Sequence, residues 1–462
     1  MGAFMQFFAN WTYRVSLALG MFMSGSVIAD GPFLFVPEYL PTEESISPTM
    51  IATGDADGDG DIDIVLPGRN NDGFAYLLVN DGEGNFDSQI QFVTEKQSDH
   101  AEIIDLDGDG VTDICFALRS SYGRIMIFWG MAEGGFEKKP QYIRLGREPR
   151  GLAIRDYDQD GDLDIAAINY ESGELQVIEN EGARTFSLIQ ALPLGRALTG
   201  TPTLQKMQAG DLDGDGDIDL AVISTGHGRV YLIRNRGDGS FELPQAWMAP
   251  KVGEEFPGIT DLVLGDIDSD GDQDMLVPMI FIDSVGHVGV MRNDGDMTIQ
   301  RRDAEPATNI GYAFSIAAAD LDSDGDLDPI MGCAIPGKIT ILDNRTVPLS
   351  SGGDGTLVFE SFQSIANESF IRAITCLDID QDCDQDILAV DLISSNLIIF
   401  RNFTPQANGC GNPPPEGFAP MVMRKEAEDF KPLDVLVDVN ADGRMDAIDL
   451  ALMLGLHGGA RP

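Results

Sequence analysis

The stretch Asp55-Ala-Asp-Gly-Asp-Gly-Asp-Ile-Asp63 decides the fold, because it recurs. The pattern Asp-x-Asp-x-Asp-Gly-x-x-Asp begins again at Asp105, Asp156, Asp211, Asp266 and Asp320, and a seventh copy at Asp378 carries Cys383 where the others have glycine. The steps are 50, 51, 55, 55, 54 and 58 residues. A fixed period of that size marks a repeat architecture.

The fourth copy shows what one repeat builds. Residues 204–210 lead into the Asp loop at 211–219, and Leu220-Ala-Val-Ile223 follows as a short apolar run suited to a buried strand. Gly226-His-Gly228 reads as a turn and Arg229-Val-Tyr-Leu-Ile233 as a third strand. Asn235-Arg-Gly-Asp-Gly-Ser-Phe241 reads as a hairpin turn, with a fourth strand starting near Phe241. The same grammar puts third strands at Tyr76–Val79, Ile125–Phe128 and Leu175–Ile178. A β-solenoid or a row of small sandwiches would also repeat, but four antiparallel strands per unit favour an all-β, seven-bladed β-propeller. The third strand of the seventh repeat, Leu397–Phe400, has no fourth strand after it, whereas Phe33-Leu-Phe-Val-Pro-Glu-Tyr39 is a strand without a repeat. Placed beside the last blade, that N-terminal strand closes the ring and removes the unpaired edges. The propeller is expected over 33–404.

Alternate Asp side chains in a tight loop form an oxygen cage for calcium, which takes six to eight such ligands. In loop 1 the candidate ligands are Asp55, Asp57, Asp59, Asp61 (by its backbone carbonyl) and Asp63; in loop 2, Asp105, Asp107, Asp109, Val111 and Asp113. Loop 3 offers Asp156, Asp158, Asp160, Asp162 and Asp164, and loop 4 Asp211, Asp213, Asp215, Asp217 and Asp219. Loop 5 offers Asp266, Asp268, Asp270, Asp272 and Asp274, and loop 6 Asp320, Asp322, Asp324, Asp326 and Asp328. Loop 7 offers Asp378, Asp380, Asp382, Asp384 and Asp386. A solvated acidic turn would account for any one copy, but not for seven with one alternation. About seven Ca2+ ions are therefore expected, in a structural role. Loops 2 and 7 are the weaker copies, through Val111-Thr112 and Cys383. Position 12 is apolar throughout (Leu66, Phe116, Ala167, Val222, Val277, Met331, Ala389), so the chain leaves each loop as a strand, unlike an EF-hand.

An eighth loop differs. Asp438, Asn440, Asp442, Arg444 (by its carbonyl), Asp446 and Asp449 follow the EF-hand spacing, with an acid at position 12 and the helix-compatible Leu450–Leu454 after it. One more Ca2+ is expected there. Residues 405–432 read as a linker and 433–462 as a small loop-helix module.

The formal net charge of −46 argues against a nucleic-acid partner. The seven motifs hold 34 of the 76 acidic residues, so much of the acidity is local and cation-directed. Residues 1–29 carry one charge, Arg14, then an apolar run from Val15, with Val27 and Ala29 placed as a cleavage site. This reads as a signal peptide; an uncleaved anchor is the alternative, but the run is short for a membrane span. The expected location is exported: extracellular, cell-surface or periplasmic, with no span after cleavage. Five cysteines do not make a disulfide framework. Cys376 and Cys383 flank a loop and are candidates to pair.

The Asp loops with their Asn-Asp-Gly-x-Gly-x-Phe turns (Asn80–Phe86) resemble FG-GAP/VCBS repeats, similar to the seven-bladed propeller of integrin alpha subunits. That resemblance implies calcium binding and adhesion, or binding of extracellular carbohydrate or protein; some bacterial relatives are polysaccharide lyases. The eighth loop resembles one half of a type I dockerin, which implies a cohesin-like partner. A cell-surface attachment stalk is the competing reading, because only one half is present.

In a propeller the Asp loops share one face, and the strand 2–3 and 4–1 connections share the other. That second face collects Arg119, Tyr122, Arg124, Arg150, Tyr170, His227 and Arg229 as candidate ligand residues, suited to an anionic or hydroxyl-rich glycan through Arg forks and aromatic stacking. Surface arginines that merely balance charge are the plainer reading. No nucleophile elbow, His-Glu-x-x-His or Cys-x-x-Cys motif is present, so a binding module is favoured over an enzyme. A calcium-dependent lyase is the alternative.

Overall fold

A computed structural model describes residues 35–41, 46–69, 73–194, 204–225, 228–251, 257–280, 287–306, 312–334, 337–346, 357–366 and 370–404. The segments read from the sequence as signal peptide, linker and eighth loop lie outside these residues, as do His227 and Cys410. Within them the chain forms seven antiparallel sheets, one per Asp repeat.

Blade 4 is typical, with strands Leu204–Gly210, Asp219–Ser224, Arg229–Ile233 and Gln245–Met248 in that order. Its fourth strand starts four residues later than the sequence suggested. Phe241 instead closes the turn by a bridge to Asn235, and Pro244, which has no N–H to give, precedes the ladder. The first strands of neighbouring blades touch one another around the ring and so line the central channel, for example Pro149–Arg155 between Ser98–Ile104 and Leu204–Gly210.

The second strands are buried along their length, as in Asp63–Pro67, Asp113–Leu118 and Asp386–Asp391, apart from the last residue of Asp274–Ile280. Both faces of each sheet are covered, which is why these strands read as continuous apolar runs rather than alternating ones. The core is divided among the inter-blade contacts. Ala166, Ile168, Val177, Leu220 and Val222 join blades 3 and 4, while Ile64, Leu66, Leu388, Val390 and Ile399 join blades 1 and 7.

The ring closes as expected. Phe35–Pro41 pairs antiparallel with Asn396–Asn402 over seven residues and is the outer strand of blade 7. Pro37 and Pro41 are tolerated there because an outer strand leaves one row of N–H positions unpaired. Cys376 and Cys383 are both free thiols, so the candidate disulfide is not formed. Among the described residues no helix is long and apolar enough to cross a membrane.

Candidate functional site: acidic loops and a basic channel mouth

Each Asp loop folds on its own carboxylates. Asp55 accepts from the backbone N–H of Gly58 (2.7 Å) and of Gly60 (3.1 Å), and Asp59 accepts from Asp61 N–H (3.0 Å). Gly60 sits at φ 97°, where a side chain is costly. Loop 7 keeps this frame with a cysteine: Cys383 adopts φ 72° and donates to Asp378 Oδ2 at 2.9 Å. Loop 2 keeps it as well, with Gly110 N–H 2.8 Å from Asp105 Oδ2 and Val111 N–H 2.9 Å from Asp109 Oδ1.

The ninth position is a buried latch. Asp63 accepts from Ala56 N–H and from Asn80 N–H, both at 2.8 Å, tying the loop to the turn after the third strand. Asp219 and Asp386 do the same with Leu212 and Asn235, and with Ile379 and Asn402. Burial pushes these carboxyls up against the backbone donors that favour ionisation: Asp63 to about 6, Asp219 to about 7, Asp274 to about 8. Neighbouring loop carboxylates push in the same direction.

Asp55, Asp57 and Asp63 each place an oxygen within 4.8 Å of the others. Loops 2, 4 and 5 do so with the same three positions, and loop 3 with Asp156, Asp158 and Asp160. Seven such groups occur among the described residues. Several oxygens, including Asp156 Oδ1, Asp268 Oδ1 and Asp380 Oδ1, are buried with no hydrogen-bond donor. A crowded, partly unsatisfied all-oxygen set fits a hard dication. In five loops the third-position carboxylate also meets an arginine: Arg184 at Asp107, Arg234 at Asp213, Arg292 at Asp268 (3.0 Å), Arg345 at Asp322 (2.8 Å) and Arg401 at Asp380 (2.8 Å). Among the described residues no arginine pairs with Asp57 or Asp158.

The opposite mouth of the channel is built by β-bulges. Between Ser98 and His100 the first strand of blade 2 gains one residue, Asp99, on its partner strand. Arg150, Phe314 and Arg372 are the extra residues of blades 3, 6 and 7, and Gln205–Lys206 holds that of blade 4. In blade 5 three residues, 260–262, face two, and in blade 1 residues 49–51 do. Bulges re-aim side chains. Here Thr49, Asp99, Arg150, Lys206 and Arg372, from five blades, line one cavity of about 20 Å³ together with Arg69. Lys206 also reaches Asp261 of blade 5 (3.8 Å), and Phe314 of blade 6 lies 5.9 Å from the Arg372 guanidinium.

Asp99 is the hub. It meets Arg69 at 3.4 Å, Arg150 at 3.6 Å and Arg119 at 4.0 Å. Burial works to raise its carboxyl, but Arg69, Arg150, Arg119 and Arg372 together hold it below the usual carboxylate range. Glu148 takes Arg119 and Arg150, each at 3.5 Å. Burial and the adjacent Arg69 push Arg372 down to about 10.

Of the ligand residues read from the sequence, Arg119, Arg150 and Tyr170 come together. Arg150 stacks 3.5 Å over the Tyr170 ring, and Tyr170 is buried, so it positions Arg150 rather than offering a face to solvent. Arg124 lies apart, over Tyr142 (4.6 Å) and beside Glu95 (3.5 Å). Tyr122 is exposed, and Arg229 is half-buried on blade 4. Thr49, Asp99 and Arg372 escaped the sequence reading. Their signal is positional, because Thr49, Asp99, Arg150, Phe314 and Arg372 each precede the first Asp of their loop by six residues.

Comparison with known proteins agrees with this geometry. A family model for the FG-GAP-like repeat matches residues 55–116, 105–167, 156–222 and 211–277, so this stretch carries FG-GAP-like repeats on a seven-bladed propeller. No curated protein matches in sequence. Similar solved structures include virginiamycin B lyase from Staphylococcus aureus, with TM-score 0.52 and 11% identity over 79% of this chain and 99% of that one. BBS1N in complex with ARL6DN is similar with TM-score 0.50 and 13% identity, over 78% and 96%. At such identities the likeness is one of fold alone.

Proposed function

We propose that this chain is an exported, calcium-binding propeller that acts as a binding or adhesion module for an extracellular glycan or protein. The observation that carries the reading is the chemical opposition of the two faces. One face holds the carboxylate groups with donor-free buried oxygens; the other gathers guanidinium groups from several blades around the channel. Calcium on the first face fixes the blades, which leaves recognition to the second. The candidate contact residues are Arg119, Tyr122, Arg124, Arg150, His227 and Arg229, with Tyr170 in support. The C-terminal loop Asp438–Asp449 holds one more ion and serves attachment, to a cohesin-like or cell-surface partner.

The test is a glycan and extracellular-protein binding array with the full mature chain, in calcium and in chelator. Binding in calcium that is lost in chelator is expected. No binding to any arrayed ligand in calcium would overturn the reading.

A further inference from the structure

We propose that the bulge-built mouth of the central channel binds the carboxylate of a sugar acid, held by Arg150, Arg372 and Thr49. The inference rests on the binding-module reading and gives that module a site and a ligand chemistry.

Three observations carry it. Among the described residues the cations outnumber the anions: Arg69, Arg119, Arg150, Lys206 and Arg372 stand against Asp99, Glu148 and Asp261. Arg372 makes no ion pair within 4 Å among the described residues, although it lines the cavity. The donors are also under-used. Arg150 is 4% exposed and meets its carboxylates only at ion-pair distance, Nε 3.6 Å from Asp99 and Nη2 3.5 Å from Glu148, with no hydrogen bond from either atom, and the buried Thr49 hydroxyl has no hydrogen bond either. A buried hydroxyl without a partner is costly, so Thr49 beside the loosely paired guanidinium groups leaves hydrogen-bonding capacity that a ligand acceptor would take up. Finally, the geometry is imposed by the fold, since every inner strand carries its extra residue at this level.

Size and surroundings select the ligand. A cavity of about 20 Å³ has room for one water-sized group, so it admits the oxygen of a planar carboxylate while the rest of the ligand stays outside. Guanidinium forks match that planar oxyanion. A bound peptide would want an unpaired strand edge or a long groove. The inner strands are paired within their blades and packed on their neighbours, and the cavity that the described residues line at this mouth is small, which suits one sugar acid.

The test uses the full mature chain in calcium, titrated calorimetrically with sodium glucuronate, glucose and N-acetyl-aspartate amide, for the wild type and for Arg372→Gln and Thr49→Val. Glucuronate should bind and glucose should not. Arg372→Gln should weaken glucuronate at least roughly tenfold, about one decade in Kd. The same variant should keep its melting temperature, because Arg372 is half-buried and makes no ion pair within 4 Å among the described residues. Thr49→Val should weaken binding less and leave the fold intact. Equal affinity in Arg372→Gln, or binding of the aspartate amide in preference to glucuronate, would overturn the assignment. Array binding that survives Arg372→Gln unchanged would leave the module reading standing and remove the channel from it; silence of the wild type toward glucuronate and the whole array would remove both.

Discussion

Asn80 donates its side-chain amide to the backbone carbonyl of Ile379 at 2.9 Å, joining blade 1 to blade 7 across 299 residues of sequence. The same bond recurs around the ring. Asn180 reaches Leu106, Asn235 reaches Tyr157, Asn293 reaches Leu212, Asn344 reaches Ile267 and Asn402 reaches Leu321. Each asparagine opens the turn after a third strand, and each carbonyl belongs to the second residue of the preceding blade's Asp loop. The backbone N–H of the same asparagine satisfies the ninth-position Asp of its own blade, as at Asn80 and Asp63. One residue thus couples two loops and two blades.

Replacing Asn235 with alanine should therefore cost about 1–3 kcal/mol, since a buried carbonyl loses its donor. Urea unfolding monitored by circular dichroism measures this. Blade 2 has Gly130 at the equivalent place, and a Cβ there would meet Thr112 O at 2.4 Å. Gly130→Asn should destabilise rather than complete the set.

The closing strand yields a second expectation. Phe35–Pro41 supplies seven register partners to Asn396–Asn402, and Arg401 reaches Glu38 at 3.4 Å. A chain starting after Pro41 leaves that strand as an open edge and should associate or aggregate. A peptide of residues 35–41 added in trans should restore the monomer on size-exclusion chromatography. A stable, monomeric truncation without peptide would show that the ring does not depend on this strand.

Much of this was legible beforehand, for a physical reason. The Asp loops, the apolar second strands and the orphan N-terminal strand are local patterns whose chemistry sits in consecutive residues. The channel mouth was not legible, because a bulge is a mismatch in count between paired strands and exists only once the register is known. Arg372 in Ile371–Leu377 looks like one more polar residue of an alternating strand; the extra residue relative to Asp386–Asp391 is what sets it apart. Arg150 and Arg119 were found, but as members of a face rather than as partners of Asp99.

Calcium removal should have a pH-dependent effect whose sign follows from the buried latches. Without a cation, burial lifts Asp219 to about 7 and Asp274 and Asp328 to about 8. A raised carboxyl holds its proton longer in the folded state than the unfolded value near 3.9 allows. Between those values the folded state binds more protons, so stability in chelator falls as pH rises from about 4 to 8. Calcium favours the ionised carboxylates and should reverse the slope. Melting temperatures at both ends of this range, in calcium and in chelator, check it; a chelated protein more stable at the alkaline end would contradict it.

Cys383 holds φ 72°, a region that costs a residue with a side chain roughly 1–2 kcal/mol. Cys383→Gly removes that strain and restores the glycine found in the other six loops. Part of the gain is offset by the greater freedom of glycine in the unfolded chain, about 0.5–1 kcal/mol. A small net stabilisation is expected in chemical denaturation under reducing conditions, with calcium content unchanged.

The arginines on the acidic face divide the loops into two kinds. In loops 2, 4, 5, 6 and 7 a guanidinium already neutralises the third-position carboxylate, as Arg292 does for Asp268 at 3.0 Å, both side chains being buried. In blades 1 and 3 the residue before the turn asparagine is Val79 or Glu179, where blades 4, 5 and 7 have Arg234, Arg292 and Arg401. Calcium affinity follows ligand charge, and a dication must compete with any cation already on the carboxylate. Among the seven propeller loops, 1 and 3 should therefore fill first, and their calcium titration should show two strong sites followed by a weaker set. Arg234→Ala should move loop 4 into the strong class, with an affinity gain of roughly tenfold, about 1.4 kcal/mol. Asp57→Asn should delete one strong site and leave the weaker set unchanged. If Arg234→Ala instead lowers calcium affinity, the arginine orients Asp213 for the ion rather than competing with it, and the division into two classes falls.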